Sequence, residues 1–267
     1  MGDDAVLGHH SGVVFDSQEE SNKYELSSER WDYPIIVTTT VQLFESLFSH
    51  HPSQCRKVHR ITNSVIIIDE VQSLPLQYWN PILGILEELV REWNCRVVFC
   101  TATHPYYGDK EKSLNLQDIV PKDRRENHFN ILNQRVKYRY LPDPLDWEEI
   151  RHNIQEKKSN NALIVVNYKK DTREGWSALR DLGNVYHLST NMYAKHRRRV
   201  IAEIRDRLDK NLPTYLVSTQ LIEVGVALDF DRGYRVITGL DSILQTAGRV
   251  NRNNRLLIGE LSIFNLK

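Results

Sequence analysis

One stretch constrains the fold more than any other: an unbroken apolar run that ends on two carboxylates. Residues 64–68 read SVIII, and DEVQ follows directly at 69–72. A strand that is apolar at successive positions is typical of a parallel sheet with both faces covered. Open α/β sheets bind ligands beyond the carboxyl ends of their strands, so we expect Asp69 and Glu70 in such a crevice. Two carboxylates there suit phosphoryl transfer, although a strand that simply ends in acidic turn residues is the alternative.

Composition narrows the class of protein. The chain has 267 residues, enough for one large or two medium domains, and its 35 basic and 35 acidic residues cancel. Any contact with nucleic acid must therefore come from local patches. No apolar run reaches membrane length and the first residues are acidic, so we expect a soluble cytoplasmic protein without a membrane partner. Cys55, Cys95 and Cys100 are odd in number and lack C-x-x-C spacing, which favours reduced thiols.

The segment before the central strand supplies hydroxyl groups. Residues 1–32 are polar and predict irregular structure, with His9 and His10 as a surface pair rather than a metal site. Residues 34–37 then predict a buried strand that runs into Thr38, Thr39 and Thr40 and on into an apolar-periodic helix. The threonines either lie at the crevice rim, where helix N-termini attract phosphate, or simply cap the helix.

A second strand brings more hydroxyl groups to the same edge. Residues 79–93 predict a core-facing helix, and residues 96–100 form another continuous apolar strand. Strand, helix and strand make a βαβ unit, so Thr101 and Thr103 are predicted to emerge beside Asp69 and Glu70.

The α/β pattern restarts after a polar stretch. Residues 104–145 are punctuated by proline and predict a link, with a domain boundary near 142. Buried strands are then predicted at 162–166, 185–188, 214–219, 236–237 and 261–264, with helices at 147–158, 172–182 and 195–208. The basic face of the last helix is explained by solvation more readily than by phosphate binding.

The end of the chain carries a pair of arginines. Gly225 follows residues 220–224 at a point that predicts a turn needing a residue without Cβ. Gln245, Gly248, Arg249 and Arg252 are predicted to share one helix, with the two arginines on one face. Guanidinium groups are natural partners of a γ-phosphate.

In this order the motifs resemble a superfamily-two helicase core. The matching motifs are DEVQ at 69–72, TAT at 101–103, STQ at 218–220 with Gly225, and QTAGRVNR at 245–252. More closely, the chain resembles the helicase part of the CRISPR-associated helicase-nuclease of type I interference. The segments that carry this are LGHHS at 7–11, WDYPIIVTTTVQLFESLF at 31–48, YHLSTNMYAKHRRR at 186–199, STQLIEVGVALDF at 218–230 and DSILQTAGRVNR at 241–252.

The resemblance implies an α/β fold of tandem RecA-like lobes with parallel sheets flanked by helices. Residues 1–141 would be the C-terminal part of an incomplete first lobe, and residues 142–267 the second lobe. It implies an ATP-dependent helicase that moves 3′ to 5′ on single-stranded DNA, hydrolyses ATP with Mg²⁺ between its lobes, and works with the CRISPR surveillance complex in antiviral defence.

Residue roles follow from the same resemblance. Asp69 would hold Mg²⁺ and Glu70 would activate water, within a motif completed by Gln72. Thr101 and Thr103 would couple the lobes. The remaining assignments are γ-phosphate contacts for Arg249 and Arg252, further nucleotide contacts for Gly225, Asp229 and Gln245, and nucleic-acid contacts for Thr38, Thr39, Thr40, Ser218, Thr219 and Gln220.

Three features depart from the family pattern. No glycine is followed by lysine, so the Walker A loop G-x-x-x-x-G-K-[ST] is absent, and no His-Asp dipeptide marks a nuclease. Ala227 stands where the family usually has aspartate. We therefore expect a separate polypeptide or segment to supply Walker A and the nuclease, and the isolated chain to be inactive. The alternatives are a non-enzymatic DNA-binding or docking remnant, and another superfamily-two translocase acting on DNA or RNA.

Overall fold

The computed structural model describes residues 5–10, 13, 17–101, 116–157, 159–223 and 225–267. The chain forms two compact units, Met1–Leu116 and Gln117–Lys267. This division lies earlier in the chain than the boundary near 142 that the sequence indicated. The reason is that Val136–Tyr140, which the sequence placed in a link, is a strand of the second unit's sheet.

The first unit contains two pairs of parallel strands. Val6–His9 (β1) pairs with Ile35–Thr38 (β2), and Val65–Ile68 (β3) pairs with Arg96–Phe99 (β4), with Val65 opposite Arg96. Short 3₁₀ turns lie at Val58–Arg60, Val71–Ser73 and Leu76–Tyr78. The elements are β1 Val6–His9, α1 Gln18–Arg30, β2 Ile35–Thr38, α2 Thr40–Phe48, α3 Pro52–Cys55, β3 Val65–Ile68, α4 Trp79–Glu92 and β4 Arg96–Phe99.

Only one face of these strands is covered by the unit's hydrophobic core. Ile68 on β3 and Leu86 and Leu89 on α4 are buried in that core. On the opposite face of β3, Val65 and Ile67 are 62% and 66% exposed. The corresponding side chains of β2, at positions 35 and 37, are exposed as well. The prediction that both faces of the central strand are covered is therefore wrong for the structure as described.

The start of the first unit is more ordered than its polar sequence suggested. The side chain of Ser17 caps α1 by accepting the N–H of Glu20. At the other end Trp31 adopts a left-handed conformation with φ 53° and is buried. Its indole Nε1–H donates to Nδ1 of His9 at 3.0 Å, so His9 is not the surface residue that we expected. Helix α1 is held by its caps, which hydrophobic periodicity does not report.

The second unit is built on one parallel sheet of six strands. Every pairing is parallel, and the order across the sheet is Val136–Tyr140 (β5), Gly259–Phe264 (β10), Arg232–Val236 (β9), Asn161–Val165 (β6), Thr214–Ser218 (β8) and Val185–Leu188 (β7). Short 3₁₀ turns lie at Arg180–Leu182 and Gln220–Ile222. The elements are α5 Lys122–Gln134, β5 Val136–Tyr140, α6 Trp147–Glu156, β6 Asn161–Val165, α7 Lys169–Leu179, β7 Val185–Leu188, α8 Ala194–Asp209, β8 Thr214–Ser218, β9 Arg232–Val236, α9 Leu240–Ala247 and β10 Gly259–Phe264.

Helices cover both faces of this sheet. Alternate residues of β6 enter two different cores, because successive side chains of a strand point to opposite faces. Ile164 packs in the core that includes residues of α6 and α7, whereas Leu163 and Val165 pack in the core that includes residues of α8. All residues of β6 and β8 are buried. The predicted α/β architecture is confirmed.

Two further expectations concerned membrane-spanning helices and the state of the cysteines. Among the helices in the described ranges, none has the length and apolar character needed to cross a bilayer. Cys55, Cys95 and Cys100 are free thiols, as their number and spacing indicated.

Candidate functional site

The first candidate site lies at the carboxyl edge of the β3–β4 pair. Main-chain hydrogen bonds continue past the strands, since the N–H of Cys100 donates to the carbonyl of Ile68 at 2.9 Å. The N–H of Val71 then donates to the carbonyl of Cys100 at 3.2 Å. These bonds hold the DEVQ segment beside Thr101, as the βαβ pattern predicted. Thr103 lies outside the described residues.

A chain of side-chain hydrogen bonds fixes Glu70. The hydroxyl of Thr101 donates to Oε1 of Gln72 at 2.6 Å, and Nε2 of Gln72 donates to Oε2 of Glu70 at 2.5 Å. Glu70 has φ 51°, a left-handed conformation that is uncommon for a residue other than glycine. Backbone strain of this kind concentrates at functional sites, where surrounding contacts maintain it. The carboxylate of Glu70 is thus held in one orientation.

Asp69 suits a magnesium ion that is shared with a phosphate. Its Oδ1 accepts the N–H of Glu70 at 3.0 Å, and the residue is exposed. No cluster of three or more His, Cys, Asp or Glu side chains suited to a metal occurs in the described ranges. Mg²⁺ typically binds through one or two carboxylates, water and substrate phosphates rather than in an all-protein cage. The donor set at Asp69 and Glu70 fits that mode of binding.

The threonines after β2 are partly committed to local structure. The hydroxyl of Thr39 accepts the N–H of Gln42 at 3.2 Å and so caps α2. The hydroxyl of Thr38 donates to the carbonyl of His9 at 2.9 Å. Thr40 is the first residue of α2. The capping alternative is therefore confirmed for Thr39, while the segment as a whole lies at the carboxyl end of β2.

In the second unit, the segment after β8 turns sharply. Ser218 is fully buried and its hydroxyl donates to the carbonyl of Thr219 at 2.8 Å, so its side chain is not available to a ligand. Thr219 is half-buried and Gln220 is exposed. Gly225 has φ 73°, which confirms the predicted need for a residue without Cβ at this turn.

The two arginines do not share a helix, contrary to prediction. Helix α9, on which Gln245 is half-buried, ends at Ala247. Beyond it, Val250 forms a bridge with Phe230, and Asn251 is left-handed with φ 46°. Main-chain pairing with Phe230 replaces helical hydrogen bonds here. The i, i+3 spacing of the two arginines carries no information about that pairing.

Arg249 and Arg252 consequently have different environments. Nε of Arg249 donates to the carbonyl of Ile222 at 3.0 Å, and Nη2 donates to the carbonyl of Glu223 at 2.6 Å. Arg252 is exposed, and its main-chain N–H donates to Oδ1 of Asp229 at 2.6 Å. The other carboxylate oxygen of Asp229 accepts the next main-chain N–H at 3.1 Å. Asp229 thus holds the main chain at Arg252 and Asn253 in place.

Glu223 and Arg235 form a buried ion pair that sequence reasoning missed. Nε of Arg235 lies 3.3 Å from Oε1 of Glu223, and both side chains are buried. Burial raises the pKa of the Glu223 carboxyl, an effect that the hydroxyl of Ser242 and the charge of Arg235 oppose. Burial lowers the pKa of the Arg235 guanidinium. Arg235 lies between apolar residues of β9, so the strand pattern gave no sign of a functional side chain.

Ala227 lines a small pocket of about 250 Å³ in the second unit. Asp229 and Arg252 line it too. The remaining lining residues are Arg205, Leu208, Asp209, Leu228, Asn253 and Arg255. A carboxylate at position 227, as in the family pattern, would therefore enter a pocket that contains several arginines.

Known proteins are similar to this chain in sequence and in fold. Residues 158–255 match the family described as CRISPR-associated nuclease/helicase Cas3, C-terminal. The chain is 25% identical to the CRISPR-associated nuclease/helicase Cas3 of Haloferax volcanii, over 90% of this chain and 35% of the relative. Its fold matches T. fusca Cas3 solved with AMPPNP, at a TM-score of 0.65 and 15% identity, over 92% of this chain and 34% of that one.

A second solved structure extends the comparison of folds. Mycobacterium smegmatis helicase Lhr, bound to ssDNA and AMP-PNP, matches with a TM-score of 0.65 and 15% identity, over 98% of this chain and 34% of that one. The fold of this chain matches that of RecA-like helicase lobes. The family match over residues 158–255, the curated relative and the solved structures together support a Cas3-type superfamily-two helicase fragment. The chain spans about a third of the length of the relatives that it matches.

Proposed function

We propose that this chain is part of an ATP-dependent 3′-to-5′ translocase on single-stranded DNA in type I CRISPR defence. One observation carries the proposal: the hydrogen-bonded chain Thr101, Gln72 and Glu70 at the carboxyl edge of the β3–β4 pair. It orients a carboxylate where open α/β sheets bind ligands. The family match over residues 158–255 supports the proposal, as do structural neighbours that were solved with nucleotide or single-stranded DNA.

Each unit would contribute its own groups to ATP hydrolysis. Asp69 would hold Mg²⁺, which neutralises charge on the nucleotide phosphates when bound. Glu70 would orient the attacking water, since its carboxylate is already held by Gln72. Arg249 and Arg252 would stabilise negative charge that develops on the γ-phosphate.

Nucleic acid would be bound through main-chain groups at strand ends. The segments are residues 38–40 after β2 and residues 218–220 after β8. Contacts of this kind reach phosphates and are tolerant of sequence, as a translocase requires. The surveillance complex and a His-Asp nuclease, carried by a separate polypeptide or by a further segment, would complete the assembly.

A further polypeptide segment with the Walker A loop would complete the nucleotide site. The exposed face of β3, formed by Val65 and Ile67, supports this part of the proposal. Strands of a parallel sheet normally have both faces covered, so these side chains offer apolar surface to another α/β segment.

The proposal predicts that the isolated chain does not hydrolyse ATP measurably. Loss of one oxyanion-type donor typically costs about two to three decades in rate, and the whole Walker A cradle is absent here. Adding a polypeptide that carries Walker A should restore turnover stimulated by single-stranded DNA. Glu70→Gln or Arg252→Ala should then abolish it, and for an arginine finger the loss is about three to five decades.

Matched variants and substrates sharpen this experiment. Glu87→Gln and Arg180→Ala change exposed surface side chains of the same types and should leave turnover intact. Hydrolysis by the isolated chain that depends on Glu70 would show that the Walker A contribution is misjudged. Failure to gain turnover with the partner bound would favour a non-enzymatic docking role. Stimulation by RNA instead of DNA would indicate a different superfamily-two translocase.

A further inference from the structure

A buried ion pair in the second unit joins strand β9 to the turn that follows β8. Arg235 lies in β9 and is fully buried, and Glu223 follows the 3₁₀ turn Gln220–Ile222. Breaking such a pair by removing one partner leaves an uncompensated buried charge. The pair therefore constrains where the turn after β8 lies relative to β9.

Helix α9 contributes to the same cluster. The hydroxyl of Ser242 donates to Oε1 of Glu223 at 2.6 Å and accepts Nη2 of Arg235 at 2.7 Å. The hydroxyl of Thr246 donates to the same Oε1 at 3.2 Å. A third group on Arg235, Nη1, donates to Oδ1 of Asn167 at 2.8 Å. The carboxylate of Glu223 thus contacts residues of both β9 and α9.

The main chain of Glu223 holds Arg249. The carbonyls of Ile222 and Glu223 accept the two hydrogen bonds from the Arg249 guanidinium, at 3.0 and 2.6 Å. A carbonyl can orient a guanidinium only if its own residue is fixed. The side chain of Glu223 supplies that fixation, and Arg235 supplies the charge that keeps the carboxylate in place.

We infer that Glu223 and Arg235 are positioning residues for Arg249. They act through the two carbonyls rather than by touching the nucleotide. The significance for ATP hydrolysis rests on the proposed function, since Arg249 is assigned to the γ-phosphate there. The geometric part of the inference is independent of that assignment and can be tested without nucleotide.

The test is hydrogen exchange of the Arg249 side chain, measured by NMR on the full chain. Arg249→Lys identifies the Nε–H resonance of Arg249. Glu223→Gln should accelerate exchange of that Nε–H by about tenfold or more, the factor expected when a hydrogen bond to a charged group is lost. Glu260→Gln is the matched control, because Glu260 is also paired with cations in this unit, namely Lys157 and Arg232. It should leave the Arg249 resonance unchanged.

A milder variant keeps the test decisive if Glu223→Gln does not fold. Ser242→Ala retains both charges and removes the hydroxyl that lies between them. It should accelerate Arg249 exchange in the same direction but by a smaller factor. Unchanged exchange in folded Glu223→Gln, or in Ser242→Ala if the first variant is unfolded, would overturn the inference. Equal acceleration by Glu260→Gln would also overturn it, because the effect would then be general loosening.

ATP hydrolysis by the chain together with the Walker A polypeptide distinguishes failure of this inference from failure of the proposed function. With the Walker A polypeptide added, Ser242→Ala should lower kcat while KM for ATP is retained, because only the placement of Arg249 changes. If reconstitution yields no turnover in the unmodified chain, the proposed function fails while the exchange result still decides the positioning role. Unaltered kcat despite faster Arg249 exchange would overturn the catalytic consequence of the inference.

Discussion

Two adjacent isoleucines on β3 provide a direct test of how the first unit is packed. Ile67 is 66% exposed, whereas Ile68 is 3% exposed and belongs to the hydrophobic core. Both residues are isoleucines, and both lie in the extended backbone of β3. A difference between Ile67→Ala and Ile68→Ala therefore reports burial alone.

The expected costs follow from that burial. Truncation of a core isoleucine to alanine removes buried methyl groups and leaves a cavity, which costs about 2–5 kcal/mol. Burying an isoleucine completely contributes about 1.5–3 kcal/mol, and only about a third of Ile67 is covered. Its truncation should therefore cost about 1 kcal/mol or less, including the lower strand propensity of alanine.

Urea unfolding followed by tryptophan fluorescence measures the difference. With a slope of about 1–3 kcal/mol per molar urea, Ile68→Ala should lower the midpoint by roughly 1–2 M, and Ile67→Ala by a few tenths. Equal and large losses for both variants would refute the reasoning, because the face of Ile67 would then be covered in solution. If the loss at Ile67 grew with protein concentration, a second copy of the chain would be the cover.

Three further predictions address other parts of the chain. Gly233→Ala should lower the free energy of unfolding by about 1–3 kcal/mol, since a Cβ there would lie 2.6 and 2.7 Å from neighbouring core side chains. Gly84→Ala, on a helix with open space, should raise it by about 0.5–1 kcal/mol in the same urea unfolding experiment. Burial, then neighbouring positive charge, lowers the pKa of His9 from 6.5, so stability should fall as the pH drops below that value because the unfolded chain takes up the proton more readily. His9→Gln should weaken this dependence without abolishing it, because burial lowers the pKa of His187 as well. Ala227→Asp should raise ATPase activity of the reconstituted complex by placing a carboxylate in the pocket with Arg252, and an unchanged rate in a folded variant would contradict this.

Much of the second unit could be predicted from its sequence. Strands β6 and β8 are buried on both faces, so their continuous apolar runs reported the environment correctly. The positive φ of Gly225 was also predictable, because few other residues adopt that conformation without strain. In these places the local pattern and the tertiary environment agree.

The sequence failed where long-range pairing decides the structure. The run at 64–68 resembles a strand covered on both faces, yet Val65 and Ile67 lack a cover in the described structure. The spacing of Arg249 and Arg252 suggested a helix, but a bridge between Phe230 and Val250 ends it. Whether a strand face is covered and where a helix ends both depend on segments outside a local window, so periodicity cannot report either outcome.

The carboxylates that follow β3 are positioned by hydrogen bonds more than by packing. Strand β3 has a core on one face only, so side-chain packing constrains the strand from one side. Past its end, the main-chain bond from Val71 to Cys100 and the side-chain bonds from Thr101 through Gln72 hold Glu70 in its left-handed conformation. Hydrogen bonds are directional whereas hydrophobic burial is not, so they can fix a carboxylate even where one sheet face is bare. The orientation of Glu70 therefore does not depend on whether Ile67 is covered. A partner that packs on the face of β3 formed by Val65 and Ile67 would stabilise the first unit, whereas the hydrogen bonds already fix Glu70.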